Sequence, residues 1–307
     1  MPLTENKNIF NWILFCLIFL IWGSSFVLMK LALFDSHGNK LFNVYQVAAL
    51  RIICAAIVLL PVILRQWSSV PKKLTGYIFL SGIVGTLLPA LLFCYAETRI
   101  DSALAGTLNS LTPVFTILIG AVFFKVRMFK YQLLGILTGF CGVLLLFLSG
   151  HNSGNHNVLY SGLVIVAVIC YAVNIALVAR CLKQLSSLAV VAYSLFSVAI
   201  PGLIILFLTG FFQMPLSQPV YIKGCLSAAA LGIFGTALAW VIFFELARRT
   251  NTVFAASASY GIPFIALAWG AWYRESILLS QIGCLLIILG GVFLIRINNK
   301  RRKSANS

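Results

Sequence analysis

Eight residues spread along this chain of 307 have side chains suited to gripping a small solute: Trp22, Ser25, Asn109, Tyr171, Asn174, Trp240, Ser259 and Tyr260. Each sits near the middle of a long apolar run. Polar groups at that depth are costly unless partnered, so they turn toward a bundle interior or a cavity. The chemistry they offer is recognition through hydroxyl, amide and indole groups, and they are the expected substrate-binding residues. The structural alternative is a set of hydrogen bonds between helices, worth about 0.6 kcal/mol each. Asn109 and the Ser259-Tyr260 pair coincide across an offset of 150 residues, and Pro113 and Pro263 follow them. A proline removes a backbone donor and kinks a helix, so these two are the expected hinges.

Bond-breaking chemistry has no comparable candidates. The chain lacks an H-E-x-x-H zinc pair, a G-x-S-x-G elbow and paired intramembrane aspartates. The Ser24-Ser25 pair has no histidine at its depth. The eight cysteines are scattered singly, which is neither disulfide nor metal-ligand spacing. The expectation is therefore no catalytic residue, no metal and no cofactor.

The six acids, Glu5, Asp35, Glu97, Asp101, Glu245 and Glu275, all fall away from the centres of the runs. The three histidines, His37, His151 and His156, fall in connections. A buried carboxylate relay of the kind proton-driven carriers use is thus not expected, and facilitated movement or exchange is. Glu245 is the nearest exception. Arg51 lies about 10 Å inside the second run. It serves either to bond carbonyls and neighbours or to guide an anionic substrate group. Lys30 marks the end of the first run.

The elements that must position these groups follow from composition. Hydrophobic residues make up 61% of the chain and charged ones 9%, against about 25% charged in soluble domains. So little charge cannot cover a water-facing surface, and the chain is a multi-pass membrane protein in contact with lipid. Ten runs are long enough to span the bilayer: 9–30, 44–64, 76–96, 103–124, 131–148, 159–178, 188–211, 222–244, 253–273 and 279–297. They are continuous rather than alternating, which favours helices over a barrel. The first run is of full span length and lacks a small-residue cleavage site, so no signal peptide is expected.

The net charge of +16 belongs to the connections, and no nucleic-acid partner is implied. With the amino terminus inside, the inner segments hold 16 of the 22 basic residues. The outer ones hold four, Lys40, Arg99, Lys223 and Arg274. Basic residues favour the cytoplasmic side, so both termini are expected there.

The segment from Gly82 to Pro113 repeats from Gly232 to Pro263 without a gap. Gly82-x-x-Gly85-Thr86 matches Gly232-x-x-Gly235-Thr236. Phe93 matches Phe243, Arg99 matches Arg249, Ala105 matches Ala255 and Pro113 matches Pro263. Each half holds five runs, an odd number, so the second copy enters the membrane from the opposite side. The fold expected is an all-α membrane protein of ten transmembrane helices in two inverted five-helix repeats, 1–150 and 151–307. The second ends in a basic cytoplasmic tail, and the polar stretch 149–158 links the two. Inverted repeats are typical of secondary carriers, which bind substrate near the midplane between the halves. Glycine-rich faces, Gly135, Gly139 and Gly142 in the fifth run and Gly283, Gly290 and Gly291 in the tenth, suit close helix packing. That packing is within the chain for a monomer, or between chains for a homodimer.

Several of these residues resemble a known family. Ile21-Trp22-Gly23-Ser24-Ser25-Phe26 and Ala49-Leu50-Arg51 are similar to the opening motifs of the drug/metabolite transporter superfamily, EamA-like branch. Ala103–Pro113 and Val253–Pro263 are similar to its pattern around the fourth and ninth spans, and Glu275, Gln281 and Gly291-Val292 to its ending. Lys125 stands where the family usually carries a glutamate, followed by the expected Gln132 and Gly142-Val143. The resemblance covers the chain and implies a ten-helix inner-membrane permease for small metabolites, often an efflux carrier of amino acids or related compounds. An uptake permease for another solute class, an intramembrane enzyme and a structural membrane protein are the alternatives.

Overall fold

The computed structural model describes residues 2–66, 70–124, 130–149 and 158–272, with residues 283, 284, 286–288, 290, 291 and 294 further on. The described residues are almost wholly helical, and their only strand-like pairing is an isolated bridge between Phe34 and Lys40. Among the described residues seven helical stretches are long and apolar enough to cross a membrane: Asn8–Leu33, Val44–Arg65, Lys72–Glu97, Ser102–Val122, Leu159–Cys181, Ser187–Leu208 and Pro219–Arg249. Two shorter apolar helices, Leu133–Gly142 and Thr252–Ile265, accompany them. Most of the expected tenth run, the polar linker, Lys125, Glu275, Gln281, Val292 and the basic tail lie outside the described residues. Apolar side chains remain on the outside: Phe207 and Leu208 are each 78% exposed. A surface of that kind suits lipid rather than water.

In chain order, α1 spans Pro2–Leu33 and α2 Val44–Gln66. The third stretch is three pieces in line. Helix α3 (Thr75–Gly82) passes into a π-helical segment, Ile83–Leu87, and then into α4 (Leu88–Glu97). The fourth is interrupted, with α5 (Ser102–Asn109) separated from α6 (Thr112–Phe124) by a turn at Ser110-Leu111. Then come α7 (Lys130–Ser149), α8 (Val158–Cys181) and α9 (Ser187–Leu208). The Ser186 hydroxyl caps α9 by accepting from the Ala189 amide.

The second half repeats the irregularities of the first. Helix α10 (Pro219–Ala230) leads into a π-helical segment, Leu231–Leu238, and then α11 (Ala239–Arg249). Helix α12 (Thr252–Ala256), capped by Asn251, gives way to a 3-10 segment, Ser257–Gly261, before α13 (Ile262–Trp272). At the offset of 150 the two π-helical segments coincide, and so do the two interruptions. Single widened turns inside α-helices concentrate at functional positions.

Packing between the halves is reciprocal. Gly85 sits so close to α8 that a Cβ there would stand 2.2 Å from Asn174 Nδ2; one on its match, Gly235, would stand 2.4 Å from Ser25 Oγ on α1. A Cβ on Gly82 would stand 2.4 Å from the Ser194 carbonyl oxygen of α9. On Gly232 it would stand 2.3 Å from the Arg51 carbonyl oxygen of α2. Only glycine allows such contacts, which explains its repetition. Gly135 and Gly139 of the fifth run meet Gly291 of the tenth within the chain, whereas Gly283 and Gly290 have no described neighbour within 4 Å of a Cβ position. A Cβ on Gly291 would stand 2.5 Å from the Gly135 carbonyl oxygen, and one on Gly142 would stand 2.7 Å from Ile288 Cγ1.

Candidate functional site

The interior of the bundle contains a small cavity, offering about 40 Å³ to water-sized molecules. That is space for a few waters. Its walls come from both halves: Trp22, Ser25, Phe26 and Met29 of α1, Arg51 of α2, Phe93 of α4, Asn109 of α5 and Thr112 of α6. The second half adds Tyr171 and Ile175 of α8, Gly235 of the π-helical segment and Trp240 of α11.

Five rings run as an open circuit along this wall. Phe26 meets Phe93 at 5.8 Å between centroids, Phe93 stacks on Tyr171 at 5.9 Å, and Tyr171 meets Trp240 edge-on at 5.4 Å. Trp240 meets Trp22 at 5.5 Å, and Trp22 lies one helical turn from Phe26. These separations lie in the 4.5–7 Å range in which aromatic pairs attract. The repeat reappears here, because Phe243, the match of Phe93, packs on Trp22 at 5.6 Å as Phe93 packs on Tyr171. Trp22 and Tyr171 each border both of the molecule's hydrophobic clusters.

The widened turn of the second half supplies the polar anchors. Winding i to i+5 alters which carbonyls are taken up within the helix. The Gly235 carbonyl accepts the Trp22 indole N–H at 3.2 Å, and the Thr236 hydroxyl donates to the Leu231 carbonyl at 3.2 Å, five residues back. That orients the Thr236 oxygen toward α2, where it accepts from Arg51 Nε at 3.1 Å and Nη2 at 3.0 Å. Arg51 is buried, 6% exposed. Among the described residues the ion pairs are Lys30–Asp101 and Arg249–Glu245, so no carboxylate pairs with Arg51 there.

Asn109 ends α5 at the interruption. Its carbonyl accepts from the Thr112 hydroxyl at 2.6 Å, which closes the turn. Pro113 and Pro263 each occupy the second position of the restarted helix, where a missing N–H costs nothing because the first turn has no partner for it. The interruptions touch: the Ser110 hydroxyl donates to the Ser259 carbonyl at 2.8 Å.

Of the eight residues singled out by type and depth, Trp22, Ser25, Asn109, Tyr171 and Trp240 are brought together around the cavity. The other three stand behind its wall. Asn174 accepts from the Ser81 hydroxyl at 2.7 Å and packs on Gly85. Ser259 returns its hydroxyl to the Ala256 carbonyl at 2.9 Å. Tyr260 is fully buried with its ring on Gly139 and its hydroxyl without a partner among the described residues. Phe26, Met29, Phe93, Thr112 and Ile175 are wall residues that residue type alone does not single out. Phe93 carried a signal, its match with Phe243.

Two acids differ from expectation or refine it. Glu97, placed by hydropathy in the turn after the third run, is buried at 1% exposure. Neither of its carboxyl oxygens has a hydrogen-bond partner among the described residues. Lys30, Arg51 and Ser102 are close enough to act on it, but Ser102 directs its hydroxyl to the Phe26 carbonyl. Glu245, at the other end of the bundle, is partnered by Ser187 at 3.2 Å and Arg249 at 2.6 Å. Arg248 donates to the Leu185 carbonyl nearby. Among the described residues no group of three or more His, Cys, Asp or Glu could hold a metal.

Comparison with known proteins bears on this arrangement. The model of the EamA-like transporter family matches residues 10–148 and again residues 159–297. The chain is 25% identical over 280 residues to the uncharacterized transporter YdfC of Bacillus subtilis (strain 168), covering 89% of this chain and 84% of that one. It is 23% identical over 257 residues to the uncharacterized inner membrane transporter YedA of Escherichia coli (strain K12), covering 82% and 79%. Similarity to protein PagO of Salmonella typhimurium is 21% over 286 residues, covering 92% and 91%. One solved crystal structure superposes with a TM-score of 0.67 at 16% identity over 94% of this chain and 97% of that one. That last likeness shows a shared fold.

Proposed function

The chain belongs to the EamA-like transporter family, and on that premise we propose that it is a secondary transporter of small metabolites, an exporter working by alternating access. It is a multi-pass membrane protein. The proposed architecture is ten spans in two inverted five-helix repeats, 1–150 and 151–307, with both termini in the cytoplasm. The cavity between α1, α2, α4, α5, α8 and α11 is its substrate site, with Trp22, Ser25, Asn109, Tyr171 and Trp240 as contacts. Pro113 and Pro263 are the flexing points. The substrates are amino acids or related small polar or amphipathic compounds.

One observation carries this reading: the cavity wall is drawn from both matched segments, with Phe93, Asn109 and Thr112 from the first and Gly235 and Trp240 from the second. A pocket shared by two copies of one unit is what rocking of the copies would open to one side and then the other. Its small volume suits a contracted state, since a metabolite needs the walls to part. The reciprocal contacts of Gly85 with Asn174 and Gly235 with Ser25 support a two-fold relation in the membrane plane. The glycine faces that pack within the chain favour a working monomer.

Counterflow in proteoliposomes tests the function. A preloaded amino acid or related metabolite should drive uptake of its labelled form, and Asn109→Ala and Trp240→Leu should each abolish that uptake. Cysteine labelling tests the inversion, because the turns at Arg99 and Arg249 should react from opposite faces. Reaction from the same face overturns the inverted architecture.

A further inference from the structure

We propose that the cavity takes an organic monoanion with a flat apolar body, its carboxylate on the Arg51 guanidinium and its body against the ring circuit. This rests on the cavity being the substrate site of a carrier and names the class of solute that it takes.

Arg51 is the single charged residue in the described wall, and no acid accompanies it there. A guanidinium carries five N–H donors. Two go to the Thr236 hydroxyl and Tyr171 is a further hydrogen-bonding partner, so the fork is held in one orientation with donors left for another acceptor. A cation buried to this degree and lacking a carboxylate is expensive. Glu97 is near enough to act on Arg51, yet among the described residues it closes no ion pair with it. The missing counter-charge is therefore best supplied by the solute. A carboxylate would receive parallel charge-assisted hydrogen bonds, the strong class for this geometry.

The remainder of the wall describes the rest of the ligand. Phe26, Phe93, Tyr171, Trp240 and Trp22 present ring faces and edges, which suit a planar apolar body. A zwitterion would bring an ammonium group as well, and the wall offers it no carboxylate. Among the described wall residues its partners are ring faces and the Ser25, Asn109, Thr112 and Tyr171 oxygens, weaker than an ion pair at this depth. The wall thus favours a monoanion over the amino acid of the same shape.

The test uses four probes that share one phenyl body: 3-phenylpropanoate, phenylalanine, 3-phenylpropylamine and the neutral 3-phenylpropanamide. Binding to the purified full-length protein is read from tryptophan fluorescence, since Trp22 and Trp240 form the wall, and from the midpoint of thermal unfolding. The propanoate should bind at least about tenfold more tightly than phenylalanine or the amine. Arg51→Gln should weaken the propanoate by about tenfold or more while the amide keeps its affinity. Binding of the amide also reports that the variant is folded. Thr236→Val, which removes the anchor of the fork, should weaken the propanoate in the same direction.

Equal or tighter binding of phenylalanine or the amine overturns the anion assignment, as does unchanged propanoate binding in Arg51→Gln. Absence of binding by all four probes overturns it too. If any of the four binds but ignores Asn109→Ala and Trp240→Leu, the location of the site itself fails. Counterflow of another metabolite that these variants abolish would keep the site and dismiss only the monoanion.

Discussion

The Ser110 hydroxyl donates to the Ser259 carbonyl at 2.8 Å, joining the two interrupted helices at their breaks. Ser110 is fully buried and also lies 3.3 Å from the Gly106 carbonyl. Ser110→Ala should cost about 1 kcal/mol of stability, the net worth of one buried hydrogen bond. Thermal unfolding of the purified protein followed by tryptophan fluorescence would show it. An unchanged midpoint would mean that the breaks are held together by packing alone.

Gly232 and Gly162 should respond in opposite ways to alanine. At Gly232 a methyl group would meet the backbone of Arg51 at 2.3 Å, and neither backbone yields without moving α2. Overpacking of this kind costs about 1–3 kcal/mol, so Gly232→Ala should lower the unfolding midpoint and shift Arg51. Gly162, inside α8, has no described residue within 4 Å of the position a Cβ would take. Gly162→Ala should leave the midpoint level or raise it, by about 0.5–1 kcal/mol of helix propensity.

Glu97→Leu should stabilise the protein. A buried carboxyl whose oxygens both lack partners among the described residues bears a desolvation cost of about 1–3 kcal/mol, and an apolar side chain of similar size relieves it. The unfolding midpoint should rise. If counterflow falls while the midpoint rises, Glu97 has a working role that the cost of its burial maintains. If the midpoint falls, the carboxyl has a partner in the folded state.

Pro113→Ala and Pro263→Ala bear on movement rather than folding. Both prolines stand at the second position of a restarted helix, where no intrahelical acceptor awaits an N–H. Their replacement should shift the unfolding midpoint by less than about 1 kcal/mol. Counterflow rates should drop severalfold if the fixed proline geometry keeps the breaks ready to flex. Unchanged rates would place the flexing elsewhere.

The sequence carried the irregular points of the fold better than its surfaces. The matched Gly-x-x-Gly-Thr motifs mark the two π-helical segments, and the matched prolines mark the two interruptions. The prolines were expected as hinges because a missing N–H is legible in a residue type; the glycine motifs were legible as a repeat, while the widened turns beside them were not. Five of the eight deep polar or aromatic residues converge on one cavity. Asn174 lies only three residues from Tyr171, yet it is drawn to Ser81 and Gly85, contacts that no hydropathy profile contains. Glu97 escaped because it adjoins Arg99 and Asp101, so its neighbourhood reads as a charged turn. The ring circuit was hidden for a related reason. Phenylalanine on an apolar helix looks alike whether it faces lipid or the interior, and only the repetition of Phe93 as Phe243 hinted otherwise.

The widened winding of Leu231–Leu238 carries one surplus residue, and everything beyond it is phased accordingly. Were that segment to tighten to ordinary pitch with its residues all kept, α11 would turn by about 100° about its own axis. Trp240 would swing out of the cavity wall, and Phe243 would leave Trp22. An extra residue in an otherwise plain helix thus works as an indexing tooth, fixing which side of α11 the inside of the molecule sees.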